Sequence, residues 1–580
     1  MAATMKSEER EPWHPFWAWS LGVLVLATLG IRFAEPVRDG DLWWQMAYGR
    51  WLIEHRTLVP DHTAFTWTPS ESPTIYCAWL PEILLHLLYK AGGLPLLFAF
   101  RYGCLLLFVL AFGCHARRSG VLHHPLSWLI LLLGVLMSQN AAYIKPEIFS
   151  YVLMTLTVLV WLRIKAAEGD CRLTCYLFPV LALVWVNSHG GFLFGAAFLC
   201  VIGVGEALNV LFSPARAVSP RVRRHFFFAL ALSGPAMFAT PYGWRYPGYL
   251  LTSLLGKEEG YFQVIEAYLS TLDPRAAHFH YAGYMVLAGL LLLAMMARDL
   301  RRGRPDWAIL LANLAFGFLY TRLLRATYFW APVFSLSAVH LLAARPGWAW
   351  PGARGLRLAM GSAVALGCLF LGGRAGFDAV CKPYGPRWLG FGISYMNPVE
   401  EAEFIRTRLS AYRLGNDYTS GGYLLWALWP ETRVMIDPRQ FPFQSWLDRY
   451  GAFHAGRGVR EFLRDFPFEV CCVRYECREL VLWFLQAPDW KIAFYGPSAV
   501  VFARREVPIP GTGASRAGKG IEGIRNFTQA LFVFEFTTRI QDWQSARRVL
   551  ADMRERFRCP HHRAEIRAAS EWLEKRLAPR

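Results

Sequence analysis

Over most of the first 375 positions of this 580-residue chain, apolar residues neither alternate nor recur as a one-sided stripe; they come in near-continuous runs. The runs are about 16 to 22 residues long, the length at which a helix crosses a bilayer. They fall at 15–33, 95–114, 125–140, 147–163, 174–188, 190–211, 225–240, 280–297, 306–321, 327–344 and 357–373, predicting about eleven spans. The first run lacks a small-residue cleavage site and reads as a retained span. A shorter stretch, Ala78 to Leu88, is interrupted by Pro81, Glu82 and His86 and reads as an amphipathic helix lying in the outer interface.

The pattern changes near residue 398. Spacing there predicts an amphipathic helix at Val399–Leu409, strands at Arg433–Asp437, Glu469–Val473 and Ala499–Ala503, and helices at Trp446–Phe453 and Val459–Phe466. A link rich in Gly, Pro and Ser, Pro508 to Gly520, precedes three amphipathic segments, Asn526–Ile540, Trp543–Phe557 and Pro560–Leu577. The expected fold class is an α-helical polytopic membrane protein with a C-terminal extracytoplasmic small α/β domain and a helical tail. Its expected divisions are a transmembrane module over 1–375 with an outer loop at 34–94 carrying interfacial helices, the α/β domain over 376–507, and the tail over 521–580.

Composition narrows the class. With 54% apolar residues and only 18% charged, the chain lacks the polar surface of a soluble enzyme of this length, and 24 Trp with 41 Phe exclude a disordered chain. The net charge of +18 suggests nucleic acid until its placement is considered. If spans alternate from a cytoplasmic N-terminus, the basic clusters Arg117/Arg118, Arg163/Lys165, Arg216/Arg221/Arg223/Arg224, Arg298/Arg301/Arg302/Arg304 and Arg345/Arg354/Arg357 all fall inside. The charge therefore reports topology, no nucleic-acid partner is expected, and everything after Gly373 lies outside. Cys residues are scattered without disulfide or zinc spacing.

On this topology the candidate chemistry gathers on the outer face. Asp39 and Asp41 follow the first span in Arg-Asp-Gly-Asp-Leu-Trp-Trp. Carboxylates at a bilayer edge can serve as general base for an acceptor hydroxyl or hold a divalent cation such as Mg or Mn against a phosphate ester. They can equally cap the helix that begins there. On the same side lie His62; Lys145 and Glu147 around Pro146; Asn187, Ser188 and His189; Tyr242 and Glu266; and Arg322 and Arg325. A lone charge facing lipid costs about 2.5 to 3.5 kcal/mol, so such a set reads as a polar cavity, with Lys145, Arg322 and Arg325 suited to a lipid-linked phosphate. Each also has a plainer reading: snorkelling arginines, a Lys145–Glu147 pair, and a His189 that tightens the Gly190-Gly191 turn by bonding a carbonyl.

Several stretches resemble a bacterial branch of the GT-C superfamily of polyprenyl-phosphate-sugar-dependent glycosyltransferases. They are Asp39-Gly-Asp-Leu-Trp-Trp…Gly49-Arg-Trp-Leu…Pro60-Asp61…Trp79-Leu80-Pro-Glu, Lys145-Pro-Glu-Ile-Phe-Ser-Tyr, Trp185-Val-Asn-Ser-His-Gly, Pro241-Tyr-Gly-Trp, and Asn416-Asp-Tyr…Gly422-Tyr-Leu…Ile436-Asp437-Pro-Arg439. The resemblance covers residues 15 to 505 and leaves the tail out. It implies transfer of a sugar from a lipid-phosphate carrier to a glycan, lipid or protein acceptor outside the bacterial inner membrane. It further implies Asp41, or else Asp39, as catalytic base, with Glu147 supplying the acidic group of the second outer turn and Lys145 standing where an Arg is expected. Metal dependence stays open. The competing expectation is a non-catalytic protein of the same fold that binds or carries lipid-linked glycan, or scaffolds envelope-glycan assembly with partners recruited by its C-terminal domain or tail.

Overall fold

The computed structural model describes residues 15–70, 75–138, 141, 143–167, 169–255, 270–273, 280–344, 359, 361–367, 369–370, 373–374, 377, 391–509 and 518–577. Its contacts divide the chain into two units, 1–33 with 75–78 and 99–374, and 34–74 with 79–98 and 375–580.

The first unit is a bundle of apolar helices. In chain order the helices of the whole chain begin α1 (Pro15–Arg32), α2 (Asp41–His55), α3 (Trp79–Arg118), α4 (Pro125–Met137), α5 (Glu147–Lys165), α6 (Arg172–Cys175) and α7 (Leu177–Val186), of which α2 and residues 79–98 belong to the second unit. They continue as α8 (Phe192–Phe212), α9 (Pro220–Ala236), α10 (Arg245–Leu255), α11 (His280–Arg301), α12 (Trp307–Arg322) and α13 (Thr327–Ala343). Among the described residues, helices occupy every predicted span except 357–373, which lies largely outside them. By length and composition, α3, α5 and α8 are long and apolar enough to cross a membrane, and shorter apolar helices accompany them. α13 is buried on all sides, from Thr327 through Leu342 with few breaks, as expected of a helix apolar all round. Small residues set the closest approaches: a Cβ on Gly205 of α8 would lie 2.3 Å from Ala308 Cα of α12.

A buried ionic knot ties the ends of α5, α8 and α12. Lys165 Nζ lies 2.6 Å from Glu206 Oε1 and 3.0 Å from Asp306 Oδ2. Asn209 donates to Asp306 Oδ1 and accepts from the Trp307 amide, and Asp306 also caps α12 through the Ile309 amide. Each charge thus has a partner of opposite sign, the condition for keeping ions in an apolar interior.

α3 runs for forty residues, where the sequence predicts a short interfacial helix and a separate span. Both are present, joined end to end: at Gly93 (φ 60°, ψ −152°) the backbone leaves helical geometry, and Pro95 restarts it. Residues 79–98 belong to the second unit and the remainder to the first.

The second unit combines α2, the start of α3 and the C-terminal region. Its sheet has the order β1-β2-β4-β3-β5, with β1 Leu414–Asn416, β2 Val470–Arg474, β3 Trp490–Tyr495, β4 Ala499–Arg504 and β5 Gly518–Lys519. β2, β4 and β3 pair antiparallel, while β1 joins β2 and β5 joins β3 in parallel. Around it lie α14 (Val399–Arg408), α15 (Tyr418–Leu428), α16 (Leu447–His454), α17 (Val459–Asp465) and α18 (Arg478–Gln486). The tail forms α19 (Phe527–Arg539), α20 (Trp543–Arg556) and α21 (Pro560–Leu577), capped at the first two starts by Asn526 and Asp542. Phe527, Val533, Phe536 and Val549 share one core with Phe484, Trp490 and Phe502, so the tail packs as part of this unit.

The expected strand Arg433–Asp437 is not in the sheet. It makes a single bridge, Val434 to Thr66, and the Asn416 side chain serves the rest of it, accepting from the Met435 amide and donating to the Ile436 carbonyl. A side chain has taken over the hydrogen bonds that a neighbouring strand would supply. The Gly421-Gly422 pair lies inside α15.

Candidate functional site

The Asp-bearing loop is built into the second unit. Asp39 Oδ1 accepts from the Asp41 amide at 2.9 Å, and Asp41 Oδ1 accepts from the Trp44 indole at 3.0 Å. Asp39 therefore works at the start of α2, where unsatisfied amides and the helix dipole favour a carboxylate. Asp41, in the first turn, is oriented by a residue one turn later. Both are half-buried.

What holds this loop is the set of motifs far along the chain. A Cβ on Gly422 would lie 2.4 Å from the Gly40 carbonyl oxygen, and one on Gly421 2.0 Å from that of Ile436, so neither position admits a side chain without displacing backbone. The Trp43 indole donates to Asn397 at 2.9 Å, Trp67 to the Leu414 carbonyl, and Thr68 to that of Met435. Arg439 closes the arrangement: it grips Asp437 through two 2.7 Å bonds and donates to Tyr48 Oη and the His62 carbonyl. Both charged side chains are fully buried. Burial pulls the Arg439 guanidinium towards neutrality, but the Asp437 carboxylate and Tyr48 oxygen beside it more than reverse this and keep it charged. Asp417 caps α15 and binds Arg474; burial would raise its carboxyl, but Arg474 holds it below the usual range.

His62 belongs to that framework. Its Nδ1 lies 2.6 Å from Tyr48 Oη, and burial, reinforced by Arg439, lowers its pKa to about 4. Glu82, at the start of α3, is also buried, which raises its carboxyl well above the usual range. A Cβ on Gly49 would meet the Glu82 carbonyl oxygen at 2.0 Å, so α2 lies directly against this turn.

In the first unit, three of the sequence candidates come together. Glu147, at the start of α5, has Lys145 Nζ 3.6 Å and His189 Nε2 3.9 Å from the same oxygen, Oε1. All three side chains are mostly covered yet not sealed, at 13 to 17% exposure. Ser150 stands one turn after Glu147 on α5, with its Oγ 2.8 Å from His189 Nδ1; it accepts from the Trp185 indole at 2.7 Å. Within its own turn, His189 Nδ1 accepts from the Gly191 amide at 3.1 Å. Asn187 ties the end of α7 to the Ala239 carbonyl, just before the turn carrying Tyr242. The Tyr242 ring lies tilted by 39° against Tyr246, whose hydroxyl would lie 3.6 Å from a Cβ on Gly190.

Arg322 is exposed at the end of α12, its guanidinium over the Phe318 ring at 5.3 Å. Arg325 lies in the 3-10 turn Leu324–Ala326, its side chain outside the described residues, and Glu266 lies outside them altogether. Among the described residues, no three or more His, Cys, Asp or Glu side chains gather as a metal site. Sequence reasoning passed over Ser150 and Trp185, although both stand inside motifs it quoted, and over Arg101, an arginine in α3 that is only 3% exposed. An arginine within an apolar run was the available signal for the last.

No family model and no curated protein matches the chain. Solved structures do. The oligosaccharyltransferase of Archaeoglobus fulgidus, tethered with an acceptor peptide containing the NVT sequon, aligns with a TM-score of 0.53 and 12% identity over 86% of this chain and 75% of that one. AglB of the same organism, in complex with an inhibitory peptide and a dolichol-phosphate, aligns with the same values. ArnT from Cupriavidus metallidurans bound to undecaprenyl phosphate aligns at 0.48 and 14% identity, over 85% of this chain and 98% of that one. At 12% identity, what the alignments with the archaeal oligosaccharyltransferase show is a shared fold.

Proposed function

We propose that the protein is a membrane glycosyltransferase that moves a sugar from a polyprenyl-phosphate-linked donor to a glycan, lipid or protein acceptor. The observation that carries this reading is the fold likeness to the archaeal oligosaccharyltransferase across 86% of the chain, together with motifs that the resemblance assigned independently. In this reading Asp41 is the base that takes the acceptor's proton as the lipid phosphate leaves, and Asp39 supports it or substitutes for it. Lys145, Arg322 and Arg325 bear the charge of the departing phosphate, while Glu147, His189 and Tyr242 line the polar region, with His62 and Glu266 as further candidates. Inversion at the anomeric carbon follows from a single displacement by the activated acceptor.

Asp41 is the preferred base, and the role of Asp39 at the start of α2 supports that preference. Each carboxylate accepts one neutral N–H, but the one Asp39 accepts is the Asp41 amide at the start of α2, a helix-starting role, whereas Asp41 accepts from the Trp44 side chain, which orients it. Should a divalent cation take part, these two carboxylates are the ligands the chain offers in the loop, and no step above depends on one. The setting proposed is the bacterial inner membrane, with the N-terminus cytoplasmic and the α/β domain and tail outside; the tail is a place for a protein partner.

The test is release of polyprenyl phosphate from a panel of polyprenyl-phosphate sugars by the purified protein with a membrane extract as acceptor source, in wild type and Asp41→Asn, with and without chelator. Release in wild type that disappears in Asp41→Asn is the expected result. Tight binding of lipid-linked sugar without release, across all acceptors, would instead favour a carrier or scaffold.

A further inference from the structure

The ring of His189 sits between two groups on one face of α5, and the hydrogen-bonding capacity of its neighbours determines which nitrogen carries hydrogen. A backbone amide can only donate, so the Gly191 N–H requires a lone pair on His189 Nδ1. With Nδ1 an acceptor, the Ser150 hydroxyl 2.8 Å away can only donate to it, while the Trp185 indole, likewise only a donor, occupies one of the two Oγ lone pairs. Two donors therefore converge on Nδ1, the serine's direction following from the amide's, and the hydrogen of the neutral ring belongs on Nε2. Gly191 makes this possible by its lack of a side chain, since a Cβ there would stand 2.6 Å from Ser150 Oγ and 2.8 Å from Nδ1.

The Nε2–H faces Glu147 Oε1 at 3.9 Å, and Lys145 Nζ faces the same oxygen at 3.6 Å. Both separations are too long for hydrogen bonds and too short to hold a molecule end to end. One oxygen atom placed beside them can reach a nitrogen and the carboxylate together, at about a right angle, with hydrogen bonds of ordinary length. Lys145 and His189 can only donate to it and an ionised Glu147 can only accept, so that oxygen must accept and donate. This is the signature of a hydroxyl group, of a sugar or of the water that a sugar hydroxyl would displace; an ionised phosphate oxygen can only accept, and Lys145 would meet the departing phosphate through another of its three N–H bonds.

We infer that Ser150, oriented by Trp185, is a positioning residue that fixes His189 as the Nε2–H tautomer, and that His189, Glu147 and Lys145 form a subsite for a hydroxyl of the donor sugar. This rests on the transferase reading for the identity of the ligand; the tautomer does not.

The tautomer is read by solid-state NMR of the full-length protein in lipid, labelled with 15N-histidine, subtracting the spectrum of His189→Gln to isolate the ring. Protonated Nε2 with a hydrogen-bonded, unprotonated Nδ1 is expected, and hydrogen on Nδ1 would overturn the inference whatever the protein catalyses. Turnover supplies the second readout. Gln reaches as far as Nε2 with an N–H and should retain rate within about 10-fold, whereas Asn reaches only Nδ1 and should lose about 100-fold, the scale of one hydrogen bond to a charged site. Ser150→Ala should cost about 10-fold in the wild type and little in the His189→Gln background, because it acts through the ring. An equal cost in both backgrounds removes Ser150 from the positioning role. Among monodeoxy donor sugars, one should lose as much rate as His189→Asn and be indifferent to that substitution; a panel handled uniformly like the parent sinks the hydroxyl assignment. Absence of any turnover alongside the Nε2–H tautomer would count against the transferase reading and not against the positioning of the ring.

Discussion

The guanidinium of Arg439 donates to the phenolic oxygen of Tyr48 at 2.8 Å, joining residues 391 positions apart. Since Tyr48 accepts from Arg439, its own proton is available to His62 Nδ1 at 2.6 Å, and the chain Asp437–Arg439–Tyr48–His62 is consistently oriented throughout. The loop bearing Asp39 and Asp41 thus rests on an ion pair that only the C-terminal half of the sequence can provide.

Removing one partner of that pair should be far worse than replacing both. Arg439→Met leaves the Asp437 carboxylate buried with its counter-charge gone and should cost about 3–5 kcal/mol. Pairing it with Asp437→Leu should recover much of the loss, and Tyr48→Phe alone should cost about 1 kcal/mol. Thermal unfolding of the purified proteins in one detergent gives the comparison; an Arg439→Met protein as stable as wild type would show that the ion pair does not hold the loop.

His62 gives the framework an acid sensitivity with a definite sign. The folded protein keeps this ring neutral down to about pH 4, whereas an unfolded chain takes up the proton near the ordinary value of 6.5. Between those values the unfolded state binds more protons, so the contribution is fully present above 6.5 and is lost as pH falls towards 4. Tm measured from pH 7.5 to 4 should fall more steeply for wild type than for His62→Gln, and coincident slopes would remove His62 from the account.

The apolar helices were legible because an apolar run of bilayer length has few other uses, and the polar candidates because ionisable groups among such runs are costly. Lys145 and Glu147 share one turn and His189 comes from another, yet their type and place in the sequence identified all three as candidates, and the fold brings the two nitrogens to 3.6 and 3.9 Å from one Glu147 oxygen. The Arg439–Tyr48 contact left no such trace, since no periodicity connects positions so far apart. Arg433–Asp437 has the composition of a strand, but composition does not say whether a strand or the Asn416 side chain will satisfy its backbone. β3, Trp490–Tyr495, went unseen although Gly496-Pro-Ser between two runs rich in β-formers is a hairpin signal. Ser150 was passed over because a serine in an apolar helix more often bonds its own backbone, as Ser138 does with the Gly134 carbonyl.

The glycines of the quoted motifs act through close packing. A Cβ on Gly49 or Gly422 would meet carbonyl oxygens at 2.0 and 2.4 Å, and neither backbone can swing aside as a side-chain end can. Gly49→Ala and Gly422→Ala should each destabilise by about 1–3 kcal/mol, as overpacking does, or prevent folding. Gly451→Ala, where a Cβ would meet nothing within 4 Å, is the control and should be neutral or mildly stabilising. Thermal unfolding, with yield of monodisperse protein as a second measure, decides it; three indistinguishable alanine variants would mean that α2 can move away from its neighbours at little cost.

Asp39 and Asp41 can be separated by amide substitution, because a helix-starting role and a base have different requirements. Asn accepts an amide hydrogen bond about as well as Asp does, so Asp39→Asn should preserve the contact to the Asp41 amide and leave stability within about 0.5 kcal/mol. Asp39→Ala should cost about 1 kcal/mol, as loss of a cap does. Asp41→Asn still accepts from the Trp44 indole but has no basic oxygen, so structure should survive while turnover falls by about 100-fold or more. Initial rates of polyprenyl-phosphate release beside Tm values for the three variants resolve the roles. If Asp39→Asn loses activity and Asp41→Asn keeps it, the base is Asp39; if both keep full activity at unchanged Tm, neither carboxylate takes the acceptor's proton.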